Sequence, residues 1–247
     1  MKTILITGSS RGIGAGIAKY FGSLGYRVLV TYYKNKAEGE AVVNEIRRKG
    51  GDANLFNVDV RSESSVKEMY KSILEITDTI DILVNNAAVD FLFNIEDSTF
   101  KEWNEIVRTK VDGNFLCTKH AIPFLKKADN PNIIIMMSSV FETVDSDDCA
   151  YSVGTSATVA FMKCMALYLS KYRIRTNATG PSEVKTEVKY WKQVGTNEFW
   201  DKIAKKNPRN RLCAPFDVAY AIESIVGEKN EFMNGNIVYV TGGKHLI

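Results

Sequence analysis

Short apolar runs alternate along the chain with longer stretches in which apolar residues recur every three or four positions. The runs lie at Thr3–Thr7, Arg27–Tyr32, Ala53–Val58, Asp81–Asn85, Asn132–Met137, Ile174–Thr179 and Ile237–Val240. The amphipathic stretches lie near residues 12–24, 36–49, 63–76, 99–127, 151–171, 186–206 and 215–227. Because strands that are apolar throughout are typical of parallel sheets covered on both faces, the pattern predicts an α/β fold. We expect a doubly wound parallel sheet that forms one domain over residues 1–247.

Composition narrows the possible functions. The chain has 247 residues, with 32 Lys and Arg against 29 Asp and Glu, and a formal charge of +3. These charges are spread along the sequence, which argues against a nucleic-acid partner. His120 and His245 are the only histidines, so neither a histidine-rich metal site nor a histidine-activated nucleophile is expected. We predict no bound metal.

The cysteines and the N-terminus indicate a compartment. Cys117, Cys149, Cys164 and Cys213 show no CxxC spacing, and a disulfide framework is not expected in so long a chain, which favours a reducing compartment. The stretch before the first glycine-rich turn is too short for a signal peptide. No apolar run reaches the roughly 18 residues that span a bilayer. We therefore predict a cytoplasmic protein with no membrane partner.

A glycine-rich turn joins the first predicted strand to the first predicted helix. Residues 7–14 read Thr-Gly-Ser-Ser-Arg-Gly-Ile-Gly, which places Gly8, Gly12 and Gly14 in the turn. Glycines here permit a tight turn and let the backbone approach a pyrophosphate at the helix N-terminus. Because the turn lies between a strand and a helix, as this mechanism requires, it predicts a dinucleotide site.

The end of the second predicted strand bears on the choice of cofactor. A site for NAD usually has an acidic residue there that binds the ribose 2′-hydroxyl, but residues 30–36 contain no acid. Arg11 lies in the glycine turn and Lys34 follows the strand. Cations at these positions suit a 2′-phosphate, so the sequence favours NADP(H) over NAD(H). The alternative is that Lys34 and Lys36 simply begin a solvated helix.

Further motifs follow the glycine turn in order. They are Asp59-Val60, Asn85-Asn86-Ala87-Ala88, Ser138 with Tyr151 thirteen residues later, Pro181 with Thr186, Asn234-Gly235-Asn236, and Gly242-Gly243. With the glycine turn, they resemble the TGxxxGxG, NNAG, Ser–Tyr and PGxxxT motifs of the short-chain dehydrogenase/reductase family, in its single-domain, 3-oxoacyl-reductase-like branch. Ala88 stands for the last Gly of NNAG, Ser182 for the Gly of PGxxxT and Thr241 for the family's closing Asp. The resemblance spans essentially the whole chain.

The resemblance implies a Rossmann fold and hydride transfer between a nicotinamide and the carbonyl or alcohol carbon of a small molecule. It implies that Asp59 contacts the adenine and that the segment after the sixth strand holds the nicotinamide end. The implied cofactor-binding residues are Gly8, Ser10, Arg11, Gly12, Ile13, Gly14, Tyr32, Lys34, Asp59, Val60, Asn86, Ala87, Ala88, Tyr151, Pro181, Val184 and Thr186.

Two catalytic positions depart from the family pattern. The resemblance assigns proton exchange to Tyr151 and binding of the substrate oxygen to Ser138. The family's Lys, four residues after the Tyr, is replaced by Thr155, and its Asn on the preceding helix is replaced by Lys110, with Asn114 one helical turn further on.

The two departures suggest one hypothesis, because the Asn and the Lys of the family converge on the same Tyr. A lysine side chain is long and flexible, so Lys110 could bring its ammonium to where the missing Lys would have placed one and favour the tyrosinate of Tyr151. We predict a rewired site with Ser138, Tyr151 and Lys110 as catalytic groups. The alternative is that Lys110 is an ordinary solvated helix residue.

Two other functions stay open from the sequence. Catalysis could have been lost, which would leave a non-catalytic NADP-binding homologue that acts as a regulator or partner subunit. Some relatives instead reduce a carbon–carbon double bond with a longer Tyr–Lys spacing, but Lys163 lies twelve residues after Tyr151, which is too far to fit.

The substrate side is less specific. Phe91 follows the NNAG-like turn, Glu142 lies in an acidic loop after Ser138, and Trp191 lies in the variable segment of residues 185–211. We predict that these three residues contact a small carbonyl or alcohol substrate. The helix predicted over residues 151–171 is apolar nearly all round, which is typical of a helix that pairs with another subunit, so a homotetramer or homodimer is expected.

Overall fold

The computed structural model describes residues 1–91, 93–139, 148–186 and 195–247. Strands and helices alternate through most of this part of the chain. They are β1 (Thr3–Ile6), α1 (Gly12–Ser23), β2 (Arg27–Tyr32), α2 (Lys36–Arg48), β3 (Asp52–Asn57), α3 (Glu63–Leu74), β4 (Ile82–Asn85), α4 (Phe100–Leu125), β5 (Asn132–Met136), α5 (Cys149–Leu169), β6 (Arg175–Pro181), α6 (Asn197–Lys206), α7 (Pro215–Val226) and β7 (Ile237–Val240).

The strands form one parallel sheet in the order β3-β2-β1-β4-β5-β6-β7. Residues such as Ile17, Val43 and Ile222 bury one face of the sheet under α1, α2 and α7. Residues such as Ile73 and Met162 bury the other face under α3, α4 and α5. The fold class predicted from the apolar runs, a doubly wound parallel sheet, is confirmed.

The strand order places a crevice at one point of the sheet. β1 pairs with β2 on one side and with β4 on the other, so successive strands are added in opposite directions from β1. At the carboxyl ends of β1 and β4 the following loops therefore diverge and leave a crevice between them. Open α/β sheets bind ligands in a crevice of this kind.

The helix predicted over residues 186–206 is wrong at residues 186, 195 and 196. Residues 185, 186, 195 and 196 are not helical, and α6 begins only at Asn197. The side chain of Thr196 accepts a hydrogen bond from the backbone N–H of Phe199, so Thr196 caps the helix and sets its start. Residues 187–194 lie outside the described part of the chain.

The apolar side chains of α5 lie partly in the core and partly on the surface. Met162 and Leu169 are buried against the sheet, whereas Leu167 and Tyr168 are exposed. By length and composition alone, residues 149–172 could cross a membrane. The buried face of α5 packs against α4 and the sheet, as in the core helix of a globular fold.

Candidate active site

The glycine turn after β1 adopts a conformation that depends on its glycines. Gly8 and Gly12 have φ angles of +64° and +58°, a region that residues with a Cβ rarely adopt. A Cβ at Gly14 would lie 2.6 Å from the side-chain nitrogen of Asn86 and from the carbonyl oxygen of Gly8. Since α1 begins at Gly12, the turn presents the N-terminus of a helix, which suits a phosphate.

The turn after β4 is bound to the glycine turn. The Thr7 hydroxyl accepts hydrogen bonds of 2.9 Å from the backbone N–H groups of both Asn86 and Ala87. The Asn86 amide donates to the carbonyl oxygens of Thr7 and Gly8, at 2.9 and 3.1 Å. Ala88 follows and is exposed. The two motifs that the sequence separates by about eighty residues thus form one rim of the crevice.

The segment after β6 approaches the glycine turn from the other side. A Cβ at Gly12 would lie 3.4 Å from the Cβ of Thr186, while Pro181 and Val184 are buried. The hydroxyl oxygens of Ser182 and Thr186 are buried and have no hydrogen-bond partner among the described residues. Buried hydroxyls next to a phosphate-type turn fit a bound polar group such as a nicotinamide carboxamide.

Asp59, predicted to contact the adenine, is held by Arg61. Its two carboxylate oxygens each accept a hydrogen bond of 2.9 Å from the Arg61 guanidinium, which lowers the pKa of Asp59. The same guanidinium lies 5.2 Å from the centre of the Tyr33 ring. Val60 is buried, and a Cβ at Gly113 of α4 would lie 2.8 Å from it, so the glycine allows α4 to approach this loop.

The residues predicted near the ribose are half-buried or exposed. Arg11 is half-exposed, with its guanidinium 4.0 Å from the Glu38 carboxylate. Lys34 is exposed, and its ammonium lies 5.2 Å from the centre of the Tyr33 ring. Glu38 lies in the first turn of α2, two residues beyond the stretch in which the sequence analysis found no acid. Ser10, Ile13 and Tyr32 line the same end of the fold and are half-buried.

The structure brings Lys110 and Tyr151 together. Lys110 lies on α4, Tyr151 lies in the first turn of α5, and the Lys110 ammonium is 4.2 Å from the centre of the Tyr151 ring. Lys110 is only 2% exposed, so the alternative of a solvated helix residue is wrong. A Cβ at Gly154 would lie 3.4 Å from both Cβ and Cδ of Lys110, so the glycine leaves room for the lysine side chain to cross α5 towards the ring.

Two acids influence this pair. Burial lowers the pKa of Lys110 to about 8, against the opposing effect of Asp90 and Asp148. Burial raises the pKa of Tyr151 well above its ordinary value, and Asp90 and Asp148 raise it further. Burial also raises the pKa of Asp90 to about 6, although Lys110 opposes this effect. Neither acid was predicted to act on Lys110 or Tyr151, because no spacing along the chain points to their positions beside this pair.

Thr155 and Asn114, which lie at or near the two positions that differ from the family pattern, are also buried in this region. Thr155 is fully buried, and its hydroxyl has no hydrogen-bond partner within the described ranges. The Asn114 amide donates a hydrogen bond of 2.5 Å to the backbone carbonyl of Lys110. Asn114 is therefore directed back along α4 and supports the turn that carries Lys110.

The remaining predicted residues are Ser138 and the three predicted substrate contacts, and of these contacts the structure describes only Phe91. Ser138 follows β5 directly after Met137, and the backbone N–H of the next residue donates to the carbonyl of Pro181 at 3.4 Å. Phe91 is buried with Phe93 in a cluster that Tyr151 contacts, so most of its ring is packed. Glu142 and Trp191 lie outside the described residues.

Comparisons with known proteins agree with this geometry. A family model described as enoyl-(acyl carrier protein) reductase matches residues 8–245. The 3-oxoacyl-[acyl-carrier-protein] reductase FabG of Staphylococcus aureus is 29% identical over 99% of this chain and 98% of its own. An uncharacterized oxidoreductase of Thermotoga maritima is 30% identical over 98% of this chain and 95% of its own.

Solved structures show the same fold. The reductase LugOII, which catalyses keto-reduction at C1 during lugdunomycin biosynthesis, has a TM-score of 0.90 and 26% identity over 99% of this chain and 98% of its own. The angucycline C-6 ketoreductase LanV, solved with bound NADP, has a TM-score of 0.91 and 23% identity over 100% and 96%. The family match, the full-length relatives and the shared fold show that the chain belongs to the short-chain dehydrogenase/reductase family of NAD(P)H-dependent oxidoreductases.

Proposed function

We propose that this protein is an NADP(H)-dependent oxidoreductase that interconverts a carbonyl and an alcohol, with Ser138, Tyr151 and Lys110 as catalytic groups. The observation that supports this most strongly is the buried Lys110 ammonium, 4.2 Å from the centre of the Tyr151 ring. A cation in that position favours the tyrosinate that remains once the phenol has given up its proton. The names of the similar proteins, a 3-oxoacyl reductase and two ketoreductases, support a carbonyl substrate.

The crevice residues would hold the cofactor. The glycine turn and the N-terminus of α1 suit the pyrophosphate, the loop with Asp59 and Val60 suits the adenine, and Thr186 suits the nicotinamide end. NADPH, when bound, supplies the hydride for reduction. Arg11 and Lys34 would bind the 2′-phosphate through their positive charges. The 4.0 Å contact between half-exposed Arg11 and Glu38 is weak and easily exchanged, so it leaves Arg11 available for the phosphate.

Three side chains, those of Tyr151, Ser138 and Lys110, would carry out the proton transfer. Since the pKa of Tyr151 is held above its ordinary value, the phenol keeps its proton at neutral pH and can donate it to the substrate oxygen. Ser138 donates a hydrogen bond to that oxygen and orients the carbonyl. Lys110 then offsets the negative charge that forms on Tyr151, at a place where little water screens it.

A Lys110→Met variant tests the proposal. NADPH oxidation is followed by absorbance over a panel of ketones, aldehydes and 3-oxoacyl thioesters, and NADPH binding by fluorescence. We expect turnover to fall by about 10²- to 10³-fold with NADPH binding nearly unchanged. Lys101→Met, which removes an exposed lysine from the same helix, is the matched control and should have no effect. Unchanged turnover in Lys110→Met would refute the catalytic role of the lysine.

The same panel decides between this proposal and its alternatives. A non-catalytic NADP-binding protein would bind NADPH but oxidise it with no substrate, and the contact between Lys110 and Tyr151 weighs against that alternative because it supplies the cation that Thr155 lacks. Reduction of a carbon–carbon double bond would appear as turnover of enoyl thioesters, added to the panel for this purpose, with no turnover of its ketones, aldehydes and 3-oxoacyl thioesters. Lys163, the lysine considered for that reaction, is exposed on α5.

The assembly and location of the protein complete the proposal. Val153, Leu167 and Tyr168 leave apolar surface exposed on α5, which suits a homodimer or homotetramer. Light scattering that showed only the 27.6 kDa monomer would refute this. We propose a cytoplasmic enzyme with a small-molecule substrate and neither nucleic acid nor membrane as partner.

A further inference from the structure

A small apolar cluster fixes the loop after β4 against the two catalytic helices. Phe91 and Phe93 are buried between Ile106 of α4 and Ala150 of α5. Phe93 also forms a parallel β-bridge with Asp148, the residue that precedes α5. Because these buried aromatic side chains anchor the loop directly after Asp90, Asp90 is held beside the helix that carries Lys110 and the turn that carries Tyr151.

Asp90 is unusual within this loop. The backbone N–H of Phe91 donates a hydrogen bond to this carboxyl, but its Oδ1 atom is buried and accepts none from any described residue, whereas buried carboxylate oxygens are ordinarily hydrogen-bonded or paired. Its charge acts on both Lys110 and Tyr151. A half-buried acid held by this cluster near a buried lysine places two opposite charges where water screens them poorly.

We propose that Asp90 is a positioning residue that keeps Lys110 charged and over the Tyr151 ring. The inference rests on the proposed function for its catalytic meaning, but not for its structural content. Without a counter-charge, a buried lysine is driven towards its neutral form, and a neutral amine would no longer stabilise the tyrosinate. Asp148 supplies a second negative charge from the start of α5.

The consequence for activity depends on pH, because Asp90 has two opposing effects. It raises the pKa of Lys110, which favours the active, charged lysine, and it also raises the pKa of Tyr151, which opposes formation of the tyrosinate. The groups that face Lys110 in the described structure are Asp90 from the loop, and Asp148 and Tyr151 from the start of α5. The gain from Asp90 therefore matters most near and above pH 8, where Lys110 loses its proton.

Two variants test the proposal through the pH profile of kcat/KM between pH 5.5 and 9.5. We expect Asp90→Asn to move the alkaline limb to lower pH by at least about half a unit, with little loss near pH 6.5. Asp90→Glu retains the charge and should keep the limb nearer its original position. Asp201→Asn, at an exposed position of α6, is the control. A uniform loss of activity at every pH would indicate a merely structural role and overturn the proposal, as would an unmoved limb.

A second measurement does not depend on turnover. The pKa of Lys110 is read by NMR of protein with ¹³C-labelled lysine side chains, and its resonance is assigned by its absence in Lys110→Met. We expect this pKa to fall in Asp90→Asn and to change less in Asp90→Glu. An unchanged pKa would overturn the inference. If the wild-type protein turned over no substrate, the proposed function would fail while this titration still decided the role of Asp90.

Discussion

Returning the lysine to the position that the family uses is the most direct test of the rewired site. The double variant Lys110→Asn/Thr155→Lys restores the Asn on α4 and the Lys four residues after Tyr151. Position 155 is one helical turn from Tyr151 on α5, so the two side chains share a face. The pocket around Thr155 is fully buried, and shortening Lys110 frees part of the volume that a lysine at 155 needs.

The structure gives the size of the expected effects. A unit charge 4.2 Å from the Tyr151 ring, at an effective dielectric constant of about 20, is worth about 4 kcal/mol, or about 10³-fold in rate. Because the tyrosinate is only partly formed in the transition state, Lys110→Asn alone should reduce kcat by about 10²- to 10³-fold. Thr155→Lys alone adds a second buried cation beside Lys110 and should lower the free energy of unfolding by several kcal/mol.

The four proteins form a double-mutant cycle, read by NADPH oxidation with the best ketone of the panel and by urea denaturation. We expect the double variant to be at least about tenfold more active than Lys110→Asn, which makes the two substitutions strongly non-additive. Circular dichroism shows whether each variant is folded. A folded double variant no more active than Lys110→Asn would refute the idea that the two lysine positions are interchangeable sources of the same charge.

Three further predictions follow from the same structure. Lys110→Met should raise the free energy of unfolding at pH 7 by up to about 3 kcal/mol, because the folded protein lowers the pKa of Lys110 from 10.5 to about 8. Measured by urea denaturation, this increase in the free energy of unfolding should be complete below pH 8 and should fade as the pH rises towards 10.5. Gly14→Ala should weaken NADPH binding at least about tenfold in calorimetry, because the new Cβ would lie 2.6 Å from the Asn86 side chain, and an unchanged Kd would contradict the described turn. Glu38→Gln should strengthen NADPH binding by up to about fivefold, since it frees Arg11, and should leave NADH binding no tighter.

The arrangement of strands and helices could be predicted because the apolar pattern reports burial directly. A strand covered on both faces needs a continuous apolar run, and β2 and β7 have the bounds that their runs predict. The helix predicted over residues 186–206 is wrong at residues 195 and 196 because a periodic apolar pattern does not show where a helix starts. That start is set by the hydrogen bond of Thr196 to Phe199, a local contact that competes with the periodic pattern.

The site was predictable where one segment carries the chemistry. A glycine turn before a helix presents its own backbone N–H groups to a phosphate, so its sequence alone is enough to predict such a site. The charges around Tyr151 come from α4, from the loop after β4 and from the residue before α5. Which charges act on Tyr151 depends on how those elements pack against each other, and periodicity along the chain does not report that packing. The effect of Asp90 and Asp148 on Lys110 and Tyr151 was therefore not predicted. Gly154 offered a partial signal, because a glycine within a helix lowers its stability and often reflects a close contact.

The energetic cost of Lys110 bears on whether this site is active. A lowered pKa means that the folded protein destabilises the charged lysine by about 3 kcal/mol, a large share of the roughly 5–15 kcal/mol by which domains are stable. A methionine or leucine would fill a similar volume without that cost. The lysine also lies against a tyrosine that a charge helps to ionise, and not against solvent. A chain that had lost catalysis would be more stable without this charge, so the position of Lys110 over Tyr151 favours the proposed role in proton transfer over a loss of catalysis.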